Sequence, residues 1–293
     1  MDIRTLQYFL AVAREESITG AAEFLHMTQP PLSRQLKDLE EELGVQLLIR
    51  GSRRITLTEE GMILRKRAEE LVDLFNKTRK EVSSSHETIA GDIYIGGGET
   101  DAVCMIARVA KKLQEKHPNV HYHLTSGDAE EVLERLDKGL VDFGIVVDPV
   151  NISKYEYLKL PDDDIFGVLM HKESPLAEKE YVCAEDLRDK PLIVSRQTLM
   201  SSEMAKWMGA DLSSLNIVGT YTLLYNASRM VSEGFGYAIC LDKLINTEKS
   251  ELCFRPLYPE QSVGLNIVWK RYQVFSKAAE KFLEELHRFL STT

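Results

Sequence analysis

Four side chains in one short segment carry the strongest chemical signal in this sequence: Pro30, Ser33, Arg34 and Lys37. At about 100° per helical residue, Leu36, Leu39 and Leu43 fall within roughly 40° of Leu32. By the same count the four polar-face residues fall about 100–200° away. The spacing predicts a helix over residues 29–42 with a narrow apolar back and an exposed front. Thr28 can cap it, Gln29 adds an amide, and Pro30 and Pro31 sit where the first-turn N–H groups have no intrahelical partner. A hydroxyl, an amide and two cations on the first turns can reach base edges and phosphates in a major groove. An ordinary solvated face on a three-helix unit uses the same residue types.

A second cationic group follows. Arg50, Arg53 and Arg54 lie within five residues, at the tip of an expected hairpin formed by residues 47–50 and 55–57. Such a tip suits contact with backbone phosphate. The net charge of −10 argues against a nucleic-acid partner, and residues 1–60 hold seven basic against ten acidic side chains. Nucleic acid binding therefore requires the basic groups to share one surface. The helix front and hairpin tip meet that requirement, and Glu40, Glu41 and Glu42 lie toward the far end of the helix.

Catalytic and metal chemistry find no comparable support. No GxSxG or HExxH occurs, and no base and nucleophile stand at a recognisable spacing. Gly96-Gly97-Gly98-Glu99-Thr100-Asp101 is not GxGxxG, because Asp101 stands in place of the third glycine. It reads instead as a polar turn between a strand and a helix. His121 and His123 share one strand face without a third ligand, so no metal is expected. Cys104, Cys183, Cys240 and Cys253 are scattered and form no CxxC pair. They are expected to be buried, reduced thiols.

The elements that must hold these groups are legible. Leu6, Phe9, Leu10 and Ala13 make one buried face of a first helix, residues 3–15. Ser17 to Gly20 offer caps for a short helix, residues 21–25, with a turn at His26-Met27. Thr58 can cap a long helix that runs to about Val82. Leu64, Ala68, Leu71, Phe75, Thr78 and Val82 form a heptad seam along it, and Ser83 to His86 read as a hinge. A seam of this kind needs a partner: a second copy, or the helix's own domain.

Beyond residue 91, strands and helices alternate. Strands are expected at 92–96, 120–125, 140–147, 165–171, 191–195, 214–221, 236–240 and 265–270. Helices are expected at 102–116, 129–138, 223–233 and 276–290. This alternation argues an α/β architecture with mostly parallel strands. Two such lobes would present strand ends and helix N-termini to a ligand between them. Thr100 and neighbouring N–H groups are expected to face that cleft, although Thr100 and Ser195 would serve equally as helix caps.

The segment from Ala21 to Leu36, AAEFLHMTQPPLSRQL, resembles the signature of LysR-type transcriptional regulators. So does Leu47-Leu48-Ile49-Arg50 followed by Ile55-Thr56-Leu57-Thr58-Glu59-Glu60-Gly61. Leu48 departs from the usual Phe, a change of core packing. The resemblance implies a winged helix-turn-helix at 1–58, a linker and dimerisation helix with hinge at 59–90, and an effector domain at 91–293. That domain would be periplasmic-binding-protein-like, with lobe one at 91–161 plus 267–293 and lobe two at 162–266. Implied effector contacts are Gly98, Thr100, Asp101, Ser126, Asp148, Ser195 and Thr222. Implied partners are double-stranded DNA, a second copy in a homodimer or homotetramer, a small-molecule effector, and RNA polymerase if the protein activates.

Two other functions compete with this reading: a solute-binding protein, and a small α/β enzyme with a merely structural helical N-terminus. No signal peptide is seen to favour the first, and no catalytic motif favours the second. With no run of about 18 apolar residues, no membrane span is expected, and a cytoplasmic location is.

Overall fold

The computed structural model describes residues 1–51, 54–83, 89–199, 202–209 and 214–292. The chain divides into two compact units, Met1–Ser84 and Ser85–Thr293.

The first unit opens with α1 (Ile3–Glu15), α2 (Ile18–Phe24) and α3 (Gln29–Leu43). The Asp2 carboxylate caps α1 by accepting from the Thr5 N–H at 2.7 Å. Ser17 caps α2 through the Gly20 N–H, so α2 begins three residues earlier than its apolar pattern suggests. Gly44 ends α3 at φ +68°, a left-handed conformation that favours glycine. The hairpin β1 (Leu48–Arg50) and β2 (Ile55–Leu57) pairs Leu48 with Leu57. The long α4 (Glu59–Ser83) follows. Its first turns do not stand apart as a linker. Leu64 packs on the core that contains Phe9, Leu32, Leu36 and Leu39, and Ala68 is fully buried.

Gly61 makes that packing feasible. A Cβ there would lie 2.3 Å from the Leu47 carbonyl oxygen. The Thr58 hydroxyl accepts from the Gly61 N–H at 2.9 Å and donates to the Gln46 carbonyl at 2.8 Å. The Glu40 carboxylate accepts from the Leu47 and Leu48 N–H groups at 2.8 and 3.0 Å. One acidic residue thus ties the hairpin to the back of α3.

The second unit holds two sheets. Its elements are β3 (Gly91–Gly97), α5 (Ala102–Lys116), β4 (Val120–Ser126), α6 (Ala129–Asp137), β5 (Phe143–Val147) and β6 (Tyr155–Lys159). The chain then crosses into β7 (Asp164–His171), α7 (Ala184–Leu187), β8 (Leu192–Ser195), α8 (Arg196–Leu199), α9 (Ser202–Met208), β9 (Ile217–Tyr221), α10 (Leu224–Ser232), β10 (Tyr237–Leu241), β11 (Leu252–Pro256) and β12 (Ser262–Val263). It returns through β13 (Leu265–Lys270) and closes with α11 (Lys277–Leu290). Lobe one has strand order β4-β3-β5-β13-β6. Lobe two has β11-β7-β10-β8-β9, with β12 also on β7.

Three expectations are corrected. The sheets are mixed rather than mostly parallel. β13 runs antiparallel to β5 and β6, and β7 runs antiparallel to β10 and β11. The outgoing strand β6 and the returning strand β13 lie side by side, which forces opposite directions. The return crossing lies at Gly264 rather than near Asn266, because Leu265 is already paired to Val147 in lobe one. The thiols are not all buried: Cys104 is exposed and Cys183 half-buried. Cys104 points away from the α5 face that buries Met105, Ile106, Val109 and Leu113.

Candidate functional site

On the first unit, α3 buries Leu32, Leu36 and Leu39 and leaves Leu43 exposed at its last turn. Gln29, Pro30, Arg34 and Lys37 are exposed on the opposite face, and Ser33 is half-buried. Thr28 occupies the cap position, but its side chain makes no capping bond, so its exposed hydroxyl is available outward. Lys37 pairs with Glu41 at 3.1 Å, both largely exposed, a contact that an incoming phosphate can displace at little cost. At the hairpin, Arg50 is exposed and Arg54 pairs loosely with Glu16 at 3.4 Å. Arg53 lies outside the described residues.

Of the heptad seam, Leu64 and Ala68 serve the unit's own core. Leu71 and Phe75 are 44% and 43% exposed and Val82 is 82% exposed, with Thr78 also exposed. Ile63 and Leu74 extend this apolar stripe, which the heptad count missed. The seam therefore splits, its first two positions facing inward and the rest outward.

On the second unit, a cavity of about 930 Å³ opens between the lobes. Its apolar wall comes from Leu133, Val147 and Val150 of lobe one and Phe166, Met204 and Leu244 of lobe two. The sequence-derived contacts divide here. Gly98, Asp148, Ser195 and Thr222 line the cavity. Ser126 lines an adjoining smaller cavity of about 360 Å³, which Thr222 shares. Thr100 and Asp101 line neither.

Thr100 is 5% exposed, and its hydroxyl donates to the Asp164 carboxylate at 2.6 Å. It also accepts from the Ala102 N–H at 3.1 Å. Asp101 faces Lys243 of lobe two at 3.6 Å. These residues tie the lobes together instead of facing a ligand. Burial pushes the Asp164 carboxyl above the usual aspartate value, against the Thr100 hydrogen bond that pulls it down. Ser195 lines the cavity but also caps a turn, accepting from the Thr198 N–H at 2.9 Å and bonding the Thr198 hydroxyl at 2.7 Å.

Several further polar groups line the cleft, and some of them bridge the lobes. The Glu99 carboxylate of lobe one accepts from the Leu224 N–H at the start of α10 in lobe two. That contact has an electrostatic basis, since the helix N-terminus carries partial positive charge. Arg196 reaches from lobe two to Asp128, the N-cap of α6, at 3.1 Å. Gln197 donates to the Val147 carbonyl at 3.4 Å. Lys154 bonds Asp137 at 2.6 Å. Burial opposes ionisation of Asp137, yet its bonds from Lys154 and Tyr155 hold its pKa below the ordinary value. Tyr221 is committed too, its hydroxyl donating to the Ile239 carbonyl at 2.8 Å.

His123 bonds Asp92 at 2.9 Å and stacks on Tyr94, so packing and an acid partner account for its position. Among the described residues, no three His, Cys, Asp or Glu side chains cluster to hold a metal. No described helix is long and apolar enough to cross a membrane.

Comparison with known proteins agrees with both halves of this arrangement. The profile described as "Bacterial regulatory helix-turn-helix protein, lysR family" matches residues 3–62. The profile described as "LysR substrate binding domain" matches residues 86–291. The HTH-type transcriptional regulator BsdA of Bacillus subtilis (strain 168) is 36% identical over 202 residues, 67% of this chain and 67% of that protein. The Hca operon transcriptional activator HcaR of Escherichia coli (strain K12) is 29% identical over 280 residues, 92% of each chain. A solved structure of full-length CbnR complexed with its target DNA has a TM-score of 0.76 at 20% identity. It covers 98% of this chain and 99% of that one, a likeness of fold.

Proposed function

This chain belongs to the LysR family of bacterial transcriptional regulators, and we propose how its residues divide that work. DNA is read by the front of α3. Thr28, Gln29, Pro30, Ser33 and Arg34 enter the major groove, while Lys37, Arg50, Arg53 and Arg54 contact phosphate. The exposed part of the α4 stripe, from Leu71 to Val82, pairs with a second copy, and pairs of dimers make a tetramer. The small-molecule effector occupies the cavity between the lobes, touching Gly98, Asp148, Ser195 and Thr222. If the protein activates, RNA polymerase is its further partner.

The observation that carries the DNA-reading assignment is the division of α3 into a buried leucine back and an exposed front with Arg34 unpaired among the described residues. Its test is electrophoretic retardation of a promoter fragment by wild type and Arg34→Ala. Loss of about 1–3 kcal/mol of affinity, with relaxed sequence preference, supports base readout by Arg34. Wild-type affinity in the folded variant removes Arg34 from the reading face.

A further inference from the structure

We infer that the effector of the inter-lobe cavity is an organic cation, an ammonium or amidinium group carried on an apolar body. This rests on the cavity being the effector site. Among the described residues, seven carboxylates line it against three cations. Each cation is already committed. Lys138 bonds Glu134 at 2.6 Å, Lys154 bonds Asp137 at 2.6 Å, and Arg196 bonds Asp128 at 3.1 Å.

Four lining carboxylates are left over: Glu99, Glu130, Asp148 and Glu203. Among the described residues, none of the four has a cation at ion-pair distance. Glu99 is satisfied by the N-terminus of α10, and Asp148 accepts from the Asn266 amide at 3.1 Å. Neither contact cancels a full charge. Glu130 comes from α6 of lobe one and Glu203 from α9 of lobe two, so the excess negative charge spans both walls.

An anionic ligand would have to break an existing pair to find a cation, and would then sit among these carboxylates. A cation meets the reverse situation. It enters a cleft where the half-buried Glu99 and Asp148 carboxylates gain more from a partner than they would in water, while the exposed Glu130 and Glu203 add attraction from the two walls. The remaining wall mixes aliphatic and aromatic side chains with neutral polar ones such as Ser195, Gln197 and Thr222, and at about 930 Å³ the cavity accepts a drug-sized body that is largely hydrocarbon.

The test uses the full chain and three probes that share one body: 4-phenylbutylamine, 4-phenylbutanol and 4-phenylbutyrate. Calorimetry and thermal shift should rank the amine first, about tenfold or more tighter than the alcohol, with the carboxylate weakest. Added salt should narrow the gap. In the combined variant Glu130→Gln, Asp148→Asn and Glu203→Gln, amine and alcohol should bind within about threefold of one another. If that variant does not fold, Glu130→Gln alone should still reduce the preference, because Glu130 is exposed.

Leu133→Trp, or Val150→Trp should the first misfold, fills the cavity and should abolish amine binding. Tightest binding by 4-phenylbutyrate, lost on filling, overturns the cationic class and keeps the cavity as the site. Amine binding that survives filling overturns the cavity as the site, and this inference with it. Failure of all three probes to bind wild type overturns the inference.

Discussion

The Thr100 hydroxyl of lobe one donates to the Asp164 carboxylate of lobe two at 2.6 Å, and both residues are buried. The two stand 64 positions apart in the chain, on either side of the first crossing between lobes. Their bond fixes the loop after β3 to the first residue of β7.

Thr100→Val keeps the shape and removes the donor. It leaves the Asp164 carboxylate buried without that partner, at a cost of about 1–3 kcal/mol. Chemical denaturation should show the loss. The effector response should shift through altered lobe closure, since Thr100 lines neither cavity. A variant as stable as wild type would mean that the tie contributes nothing.

Asp164→Asn should behave in the opposite sense. The raised pKa of Asp164 means that the folded protein holds this proton more tightly than the unfolded chain. Its contribution to stability therefore falls as pH rises from the ordinary aspartate value through the raised one. Asparagine still accepts from Thr100 but carries no charge beside Asp101, whose repulsion Lys243 only partly offsets. The variant should melt at or above the wild-type temperature at neutral pH, and the difference should shrink on acidification. Melting curves across that range decide it. A variant less stable at neutral pH would show that the ionised carboxylate is required.

Phe75→Asp places a charge in the outward part of the α4 stripe. In one chain Phe75 is 43% exposed, so the unit's own core loses little. The effect should appear in assembly: sedimentation should show dissociation, and operator affinity should fall because a monomer holds one half-site. Ala68→Asp is the contrast, since Ala68 is fully buried in its own unit and the charge should unfold it. A dimeric Phe75→Asp protein at low concentration would move the contact off this stripe.

Gly61→Ala tests the joint between hairpin and long helix. The added Cβ meets the Leu47 carbonyl at 2.3 Å and the Leu57 Cβ at 3.3 Å, and backbone cannot swing aside as a side chain can. A loss of about 1–3 kcal/mol is expected, as for overpacking. The melting temperature of the full chain reads it. Unchanged melting would mean that β1 shifts freely against α4.

The sequence alone determined the front and back of α3, because a leucine at every third or fourth position has one meaning on a helix. It also determined the α/β character of residues beyond 91, where apolar runs are bounded by Gly, Pro and charge. It did not disclose β6, whose Tyr155-Glu156-Tyr157-Leu158-Lys159 is a mostly exposed edge strand, or β11, which ends in Pro256. β6 buries too little to leave a clear apolar pattern, and β11 is short and carries a proline, which reads against a strand.

Tertiary structure alone decided which polar groups face the cleft. Thr100 looked like a ligand donor because it follows a strand and opens a helix. The crossing from β6 to β7 brings Asp164 to its hydroxyl and takes it out of the cavity. Arg196 is a cation at the cleft with nothing in its neighbouring sequence to name its partner, and the approach of α6 gives it Asp128. Periodicity is a local property, written into neighbouring residues. The partner of a hydroxyl or a guanidinium is chosen by chain crossings dozens of residues away, and no local pattern encodes it.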